Sequence, residues 1–381
     1  MIIYLFSFFS CYLIGISKQR QNKRIEFLLF TFLTVFLCGG FMCGSDWRSY
    51  ESIYEAIDWD NYGYDYYAEP GFYVYMAIFK LFNADFWHIA VLTKVLCFLT
   101  FLKYLKKYLQ DDVLLGLMYF VPWYGFYLFI DCPMRNLMAI TIFLLALPYL
   151  LKRDFWRYFL LILLASSFHI TALLFLFLYF FAIKKQSTFL WVVIFILVNL
   201  FFASRTFIIW LCSLLLGNIP FMMAKIEAYF LDENIFAEGR ILSFGMLIHL
   251  AFFILLLIKR RYVEERENGI FIFNLAICYL LFYRLATTIE IFMRFQLYLA
   301  PCYCIALIRV AQSFAFRTRL LYITYLLCVA SIGSLKIFAD YRYIPYTSYI
   351  PYFFQGDYPS FEYRSDYNHR NSPYEYKTEY Q

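Results

Sequence analysis

The eighteen residues Val113–Ile130 carry no charge, and runs like this recur along the chain. An apolar stretch of about 17 to 25 residues has the length that crosses a bilayer as a helix. The hydrocarbon layer offers no water to backbone N–H and C=O groups, so such a chain is restricted to helices or a closed barrel. Here the apolar residues are continuous and do not alternate, which excludes the barrel. Charged residues make up only 16% of the 381, against roughly 25% in a soluble domain. The fold class is therefore all-α: a polytopic integral membrane protein with about 10–13 transmembrane helices, short or re-entrant ones included. The first run, Ile2–Ile16, lacks a basic leader and a small-residue cleavage site and is expected to be a retained span.

Lys and Arg in short loops mark the cytoplasmic side. They cluster in Ser17–Arg24, at Lys103, Lys106 and Lys107, at Lys152, Arg153 and Arg157, at Lys184 and Lys185, in Lys259–Arg266, and at Arg317 and Arg319. Gly44–Glu69 differs, with Asp46, Glu51, Glu55, Asp58, Asp60, Asp65 and Glu69 against a lone Arg48. It is placed outside. Threading the chain under this rule gives spans near 2–16, 25–42, 86–102, 113–130, 134–151, 188–203, 241–258, 269–287, 292–311 and 320–338, in the cytoplasmic membrane. Residues 71–83 read as a re-entrant or interfacial helix, and both termini come out external. The domain plan is a helical membrane domain, 1–339, with outer loops 43–85 and 204–240, and a Tyr/Pro-rich external tail, 340–381. The tail has no helical period and is expected to be extended or partly disordered. Cys43 and Cys132 both fall at outer span ends, where a disulfide between them is compatible with the sidedness.

The stretch Ala165–Ala172, "ASSFHITA", interrupts the apolar run Phe155–Ile183. One helix from Trp156 to Ile183 would be roughly 42 Å long and would put the next two basic loops outside. A hairpin of two short helices keeps them inside, with each arm only about 20 Å long against a core of about 30 Å. Its tip then stops within the membrane, where irregular backbone must be buried in protein or line a wet cavity. On this reading His169 faces an outward cavity; the alternative is a histidine hydrogen-bonded between helices.

Other polar residues fall on the same side. They are Asp46 and Tyr50 after the second span, Glu69 before the re-entrant piece, Arg135 in the first turn after Pro133, and Arg284 near the end of a later span. Glu290, Arg294 and Tyr298 share one helix face by their i, i+4, i+8 spacing. Ionisable groups at membrane depth are expensive and so are functional candidates. Arginine suits diphosphate, because its planar fork donates paired hydrogen bonds and stays charged.

Other chemistries lack support. There is no Walker loop, His-Glu-x-x-His or Gly-x-Ser-x-Gly. "DWD" (Asp58–Asp60) looks like a metal-binding carboxylate pair, but no βαβ pattern surrounds it. Cys302-x-Cys304 has no second pair, so no metal site is expected. No internal repeat suggests a secondary transporter.

Taken in order, several motifs resemble the EpsG family of Wzy-type polysaccharide polymerases. They are Gly44-x-Asp46 with Tyr50, Glu69-Pro-Gly-Phe72, Arg135 with Ala139, "ASSFHITAL" (Ala165–Leu173), Arg294 with Tyr298, and "YIPY" (Tyr343–Tyr346). The resemblance spans nearly all of residues 25–354. It implies a fold related to lipid-dependent glycosyltransferases of the GT-C kind. It also implies transfer of a growing glycan from undecaprenyl diphosphate to a lipid-linked repeat unit. Under it Arg135, His169 and Arg294 become catalytic, and Asp46, Tyr50, Glu69, Arg284, Glu290 and Tyr298 bind substrate. The donor is already activated, so no cofactor is expected. The implied partners are the lipid-linked oligosaccharide, the bilayer, a flippase and a chain-length regulator, with no nucleic acid. The alternatives are a flippase for the same glycan and an O-antigen-type ligase.

Overall fold

In the computed structural model, the described residues are 1–57, 69–216, 243–289, 292–355 and 357–371. Most are helical, and capping side chains mark where many helices start. Asn22, Asp85, Asp154, Ser187 and Ser243 each accept a hydrogen bond from a first-turn N–H. Five described stretches are long and apolar enough to cross a membrane, or six if a pair bent by 105° near residue 203 counts as one span. One of the five, Phe86–Asp131, is two spans. Gln110 has φ 50 and breaks it, and Phe101 packs back on Phe120 and Phe129 at ring distances of 5.4 and 5.8 Å.

The chain divides into two compact units, Met1–Leu176 with Phe314–Gln381, and Phe177–Ser313. The first unit begins with α1 (Ile2–Ile16), α2 (Lys23–Cys38), strand β1 (Gly40–Phe41) and a short α3 (Trp47–Glu55). It continues with α4 (Pro70–Leu81), α5 (Phe86–Leu109), α6 (Val113–Phe120), α7 (Met134–Leu151) and α8 (Phe155–Phe168). After α6 the helix widens into π-type turns over Val121–Asp131, beginning beside Pro122, which has no N–H to give. The Phe155–Ile183 run does fold back. Tyr158 Oη donates to the Phe175 carbonyl at 2.6 Å, although 17 helical residues would separate them by about 25 Å.

The second unit holds α9 (Leu178–Phe181), α10 (Thr188–Phe201), α11 (Arg205–Leu216), α12 (Phe244–Ile258), α13 (Arg260–Glu264), α14 (Gly269–Thr288) and α15 (Met293–Gln312). Asn274 Nδ2 donates to the carbonyls of Ala182 and Lys184, both at 2.9 Å, and so holds the turn before α10 against α14. Glu264 binds Arg260 at 2.7 Å and Lys185 at 3.3 Å, drawing two basic loops to one end of the unit. Tyr279 and Tyr303 stack at 4.1 Å between α14 and α15. Of the expected outer segment 204–240, α11 is described and the rest lies outside the described residues.

The chain then returns to the first unit as α16 (Phe316–Phe338), strand β2 (Thr347–Ser348), α17 (Ile350–Gln355) and α18 (Phe361–Asn371). At one end of this unit Asp112 binds both Arg20 (3.1 Å) and Arg319 (2.8 Å), and Glu26 binds Lys106. Basic loops assigned to a common side thus meet at a common end. At the other end the described part of the tail, 340–355 and 357–371, is folded, contrary to the expectation of an extended or disordered segment. β2 pairs antiparallel with β1, Tyr4 Oη donates to the Tyr343 carbonyl at 2.6 Å, and Tyr346 Oη donates to the Phe36 carbonyl at 2.7 Å. Its order comes from partners some 300 residues away, which a local period cannot reveal. Cys43 and Cys132 are buried, separate thiols.

Candidate functional site

The Gly44–Tyr50 turn is fixed by backbone sterics. Gly44 has φ 84, and a Cβ there would lie 2.5 Å from the Asp131 carbonyl oxygen, so only glycine fits. Its N–H donates to the Arg342 carbonyl at 2.7 Å. Ser45 donates to Asp131 Oδ1 through its N–H (2.8 Å) and its hydroxyl (3.2 Å). The chain then enters α3, which sets Tyr50 one turn from Asp46, and the Tyr50 hydroxyl donates to Asp46 Oδ2 at 3.4 Å.

Glu69-Pro-Gly-Phe supplies the opposing wall. Pro70 sits at the start of α4, where its missing N–H costs nothing. A Cβ on Gly71 would strike Ser167 Oγ and lie 2.9 Å from the Ser167 carbonyl carbon. Glycine therefore lets the start of α4 rest on the tip of the hairpin. Phe72 packs on the Tyr50 ring at 5.1 Å. Glu69 Oε2 accepts from Arg135 Nη1 at 2.7 Å, and the Arg135 guanidinium lies 5.6 Å from the centre of the Tyr50 ring. Four sequence-assigned residues, Asp46, Tyr50, Glu69 and Arg135, thus form one connected group. The Arg135 side chain is 29% exposed, while its buried Nε has no hydrogen-bond acceptor among the described residues. This guanidinium is held on one side by a carboxylate and on one face by a ring, with donor capacity left over.

His169 ends α8 in an extended conformation at the hairpin tip, two residues beyond Ser167. It is 6% exposed, and its Nδ1 lies 2.6 Å from Thr171 Oγ1. The local turn thereby fixes which ring nitrogen remains for other contacts.

Two buried charges beside the group have no place among the sequence-derived candidates. Asp131 accepts from Ser45, from Arg342 at 3.4 Å and from the Tyr343 hydroxyl at 3.4 Å. Lys94, 3% exposed, donates to the Gly40 carbonyl at 3.1 Å. Each had a signal: Lys94 interrupts the 86–102 span and Asp131 closes an uncharged one, positions where an ionisable group is costly.

The tail clasps α3 from behind. Arg364 Nη1 donates to both Glu51 oxygens at 3.0 and 2.7 Å, amid the rings of Trp47, Trp87, Tyr358 and Phe361. Burial pushes the Glu51 carboxyl up, and Arg364 opposes that shift. Arg48 donates to the Ser365 carbonyl at 2.7 Å, and His369 stacks on Tyr341 at 4.2 Å. Burial, and then the neighbouring Arg48, push the His369 pKa down.

In the second unit, Arg284 is 2% exposed on α14, and its Nε and Nη2 meet no acceptor among the described residues. Arg294 and Tyr298 stand one turn apart at the start of α15; Tyr298 is fully buried and Arg294 partly so. Glu290, the Asp58–Asp60 pair and Asp65 lie outside the described residues.

A family model described as the EpsG family matches residues 23–354. The chain belongs to the EpsG family. No curated protein and no solved structure matches it. Membership makes it a Wzy-type polymerase-like protein of polysaccharide synthesis in a membrane. All of the motifs traced above fall within the matched span. The Glu51–Arg364 clasp does not, since the EpsG match ends ten residues before Arg364.

Proposed function

We propose that this chain is a polysaccharide polymerase. It transfers a growing glycan from undecaprenyl diphosphate to the next lipid-linked repeat unit at the outer face of the cytoplasmic membrane. The observation that carries the reading is Arg135, held by Glu69 and Tyr50 at the start of a span, in a chain of the EpsG family.

The acceptor hydroxyl attacks the anomeric carbon of the donor sugar. A new C–O bond forms and the bond to the diphosphate oxygen breaks. The hydroxyl proton passes to a ring nitrogen of His169, whose reference pKa of about 6.5 suits a base near neutrality. The lipid diphosphate leaves with the bonding pair, and Arg135 stabilises the charge that develops on it. Preorganised cations in a low-dielectric site act more strongly on that developing charge than on the ground state. Within the second unit, Arg284, Arg294 and Tyr298 are the diphosphate-binding residues that the family resemblance implies. Asp46, Tyr50, Glu69 and Glu290 hold sugar hydroxyls or the cations themselves. The donor brings its own activation, so the reaction needs no cofactor. A flippase supplies the substrate, and a chain-length regulator works beside the enzyme.

The test is reconstitution of the purified full chain in vesicles with its lipid-linked repeat unit. Polymerisation yields glycans of increasing length and frees undecaprenyl diphosphate. Movement of single units across the bilayer without lengthening would instead make it a flippase.

A further inference from the structure

The basic end of the first unit carries a recess of about 440 Å3 between the end of α1 with its following loop, α6, and the start of α16. Lys18, Arg20 and Arg319 reach it from the polar side, and Leu115, Leu320 and Ile323 form an apolar wall. Asp112 is shared by two guanidinium groups. Arg20 Nη1 gives it one hydrogen bond at 3.1 Å, and Arg319 Nη2 spans both of its oxygens at 2.8 Å. Each arginine thus commits one terminal nitrogen and keeps other donors. Lys18 is exposed and forms no ion pair among the described residues. Lys18, Arg20, Arg319 and the neighbouring Lys23 thus stand against the two carboxylates Asp111 and Asp112, an excess of positive charge.

The apolar wall says what kind of anion fits. Leu320 is 37% exposed on α16, and only a third of that span's apolar window is buried in the protein. The rest is uncovered among the described residues, as a lipid-facing side of a span would be. A soluble phosphate would use the cations alone. A phospholipid would use both parts, with its headgroup on the cations and an acyl chain along the exposed Leu320 and Phe316. The recess is also separate from the Arg135 group. α1 starts against the tail at Tyr343 and ends here, about 20 Å away along its axis.

We propose that this recess binds an anionic phospholipid of the leaflet at the basic end, which the loop charges make the cytoplasmic one. The lipid bridges α1 and α16, which also meet where the Tyr12 hydroxyl lies 2.8 Å from Thr324 Oγ1 and, through Arg20 and Arg319, at Asp112.

The test uses the purified full chain, equilibrated with mixed vesicles of phosphatidylglycerol and phosphatidylcholine and then examined by native mass spectrometry for retained lipid. The wild type should keep phosphatidylglycerol in preference. Lys18→Gln with Arg20→Gln leaves Asp112 its Arg319 partner and should weaken phosphatidylglycerol binding about thirty-fold, with phosphatidylcholine unchanged. Leu320→Trp lies on the lipid-facing surface and alters no charge, yet should also lower retention by filling the wall. Equal retention of the two lipids by the wild type, or unaltered retention in both variants, overturns the proposal. So does inorganic phosphate in lipid-free detergent stabilising the wild type as well as phosphatidylglycerol does, because the recess would then be a soluble-anion site.

Discussion

Arg135 and Arg284 each stand near the end of a membrane helix, one in each unit, yet their surroundings are opposite. Arg135 has a carboxylate at 2.7 Å and a ring under its guanidinium, and it is partly open. Arg284 is almost wholly buried, with two nitrogens lacking acceptors among the described residues. A buried donor without a partner costs roughly 1–3 kcal/mol, and more when charged. The first arginine contributes to the fold and is aimed by it. The second finds no acceptor for two of its nitrogens among the described residues. Compensation of this kind recurs in the first unit where Glu51 and Arg364 bury each other.

The largest effect is expected where compensation is most complete. Arg364→Ala leaves Glu51 buried and alone, and breaking such a pair costs about 3–5 kcal/mol. Hydrogen exchange over residues 361–371 should accelerate, while Glu51→Met with Arg364→Met should recover much of the protection. Unchanged exchange in the single variant would remove the clasp. Next is the contrast itself. Arg284→Met should leave the thermal midpoint equal or higher while polymer synthesis falls about a hundredfold, whereas Arg135→Met should lower both. If Arg284→Met destabilises as much as Arg135→Met, the two sites are not different in kind.

A smaller effect belongs to the α4–hairpin contact. Gly71→Ala forces a methyl group against Ser167 and should destabilise by about 1–3 kcal/mol. Ser167→Gly should return part of that in a thermal melt, because the side-chain clash disappears while the backbone contact at 2.9 Å stays. Full tolerance of Gly71→Ala would mean that α4 does not rest on the tip.

The smallest concerns pH. His369 faces Arg48 and Asp366 and stacks on Tyr341, with its pKa lowered in the docked tail. The docked state then binds fewer protons than the released one between the two pKa values. Docking is complete above about pH 6.5 and weakens as pH falls through that value. Protection factors over 361–371, corrected for the intrinsic pH dependence of exchange, should fall at pH 5.5, and His369→Gln should flatten the response.

The spans were legible because continuous apolar length is a local property, and basic loops add their side. The hairpin at His169 was legible for a related reason: its ends had to return to one side. Glu69 and Arg135 could be singled out as ionisable groups at span ends, but their pairing is a tertiary fact. Lys94 and Asp131 have no partner legible in the sequence, because Gly40 and Arg342 lie 54 and 211 positions away. The tail was misjudged for the same reason, since Arg364 meets Glu51 across 313 positions. In each case the side chain that explains the charge comes from a distant stretch of chain.

The proposed polymerase needs Arg135 as an oriented, bidentate cation on the departing diphosphate. The measurement is the glycan size ladder of a strain lacking this gene, complemented with wild type or Arg135→Lys at equal protein abundance. Lysine keeps the charge but not the fork, so the account predicts single lipid-linked units without a ladder, a loss of about a hundred- to a thousandfold. A normal ladder from Arg135→Lys would contradict it.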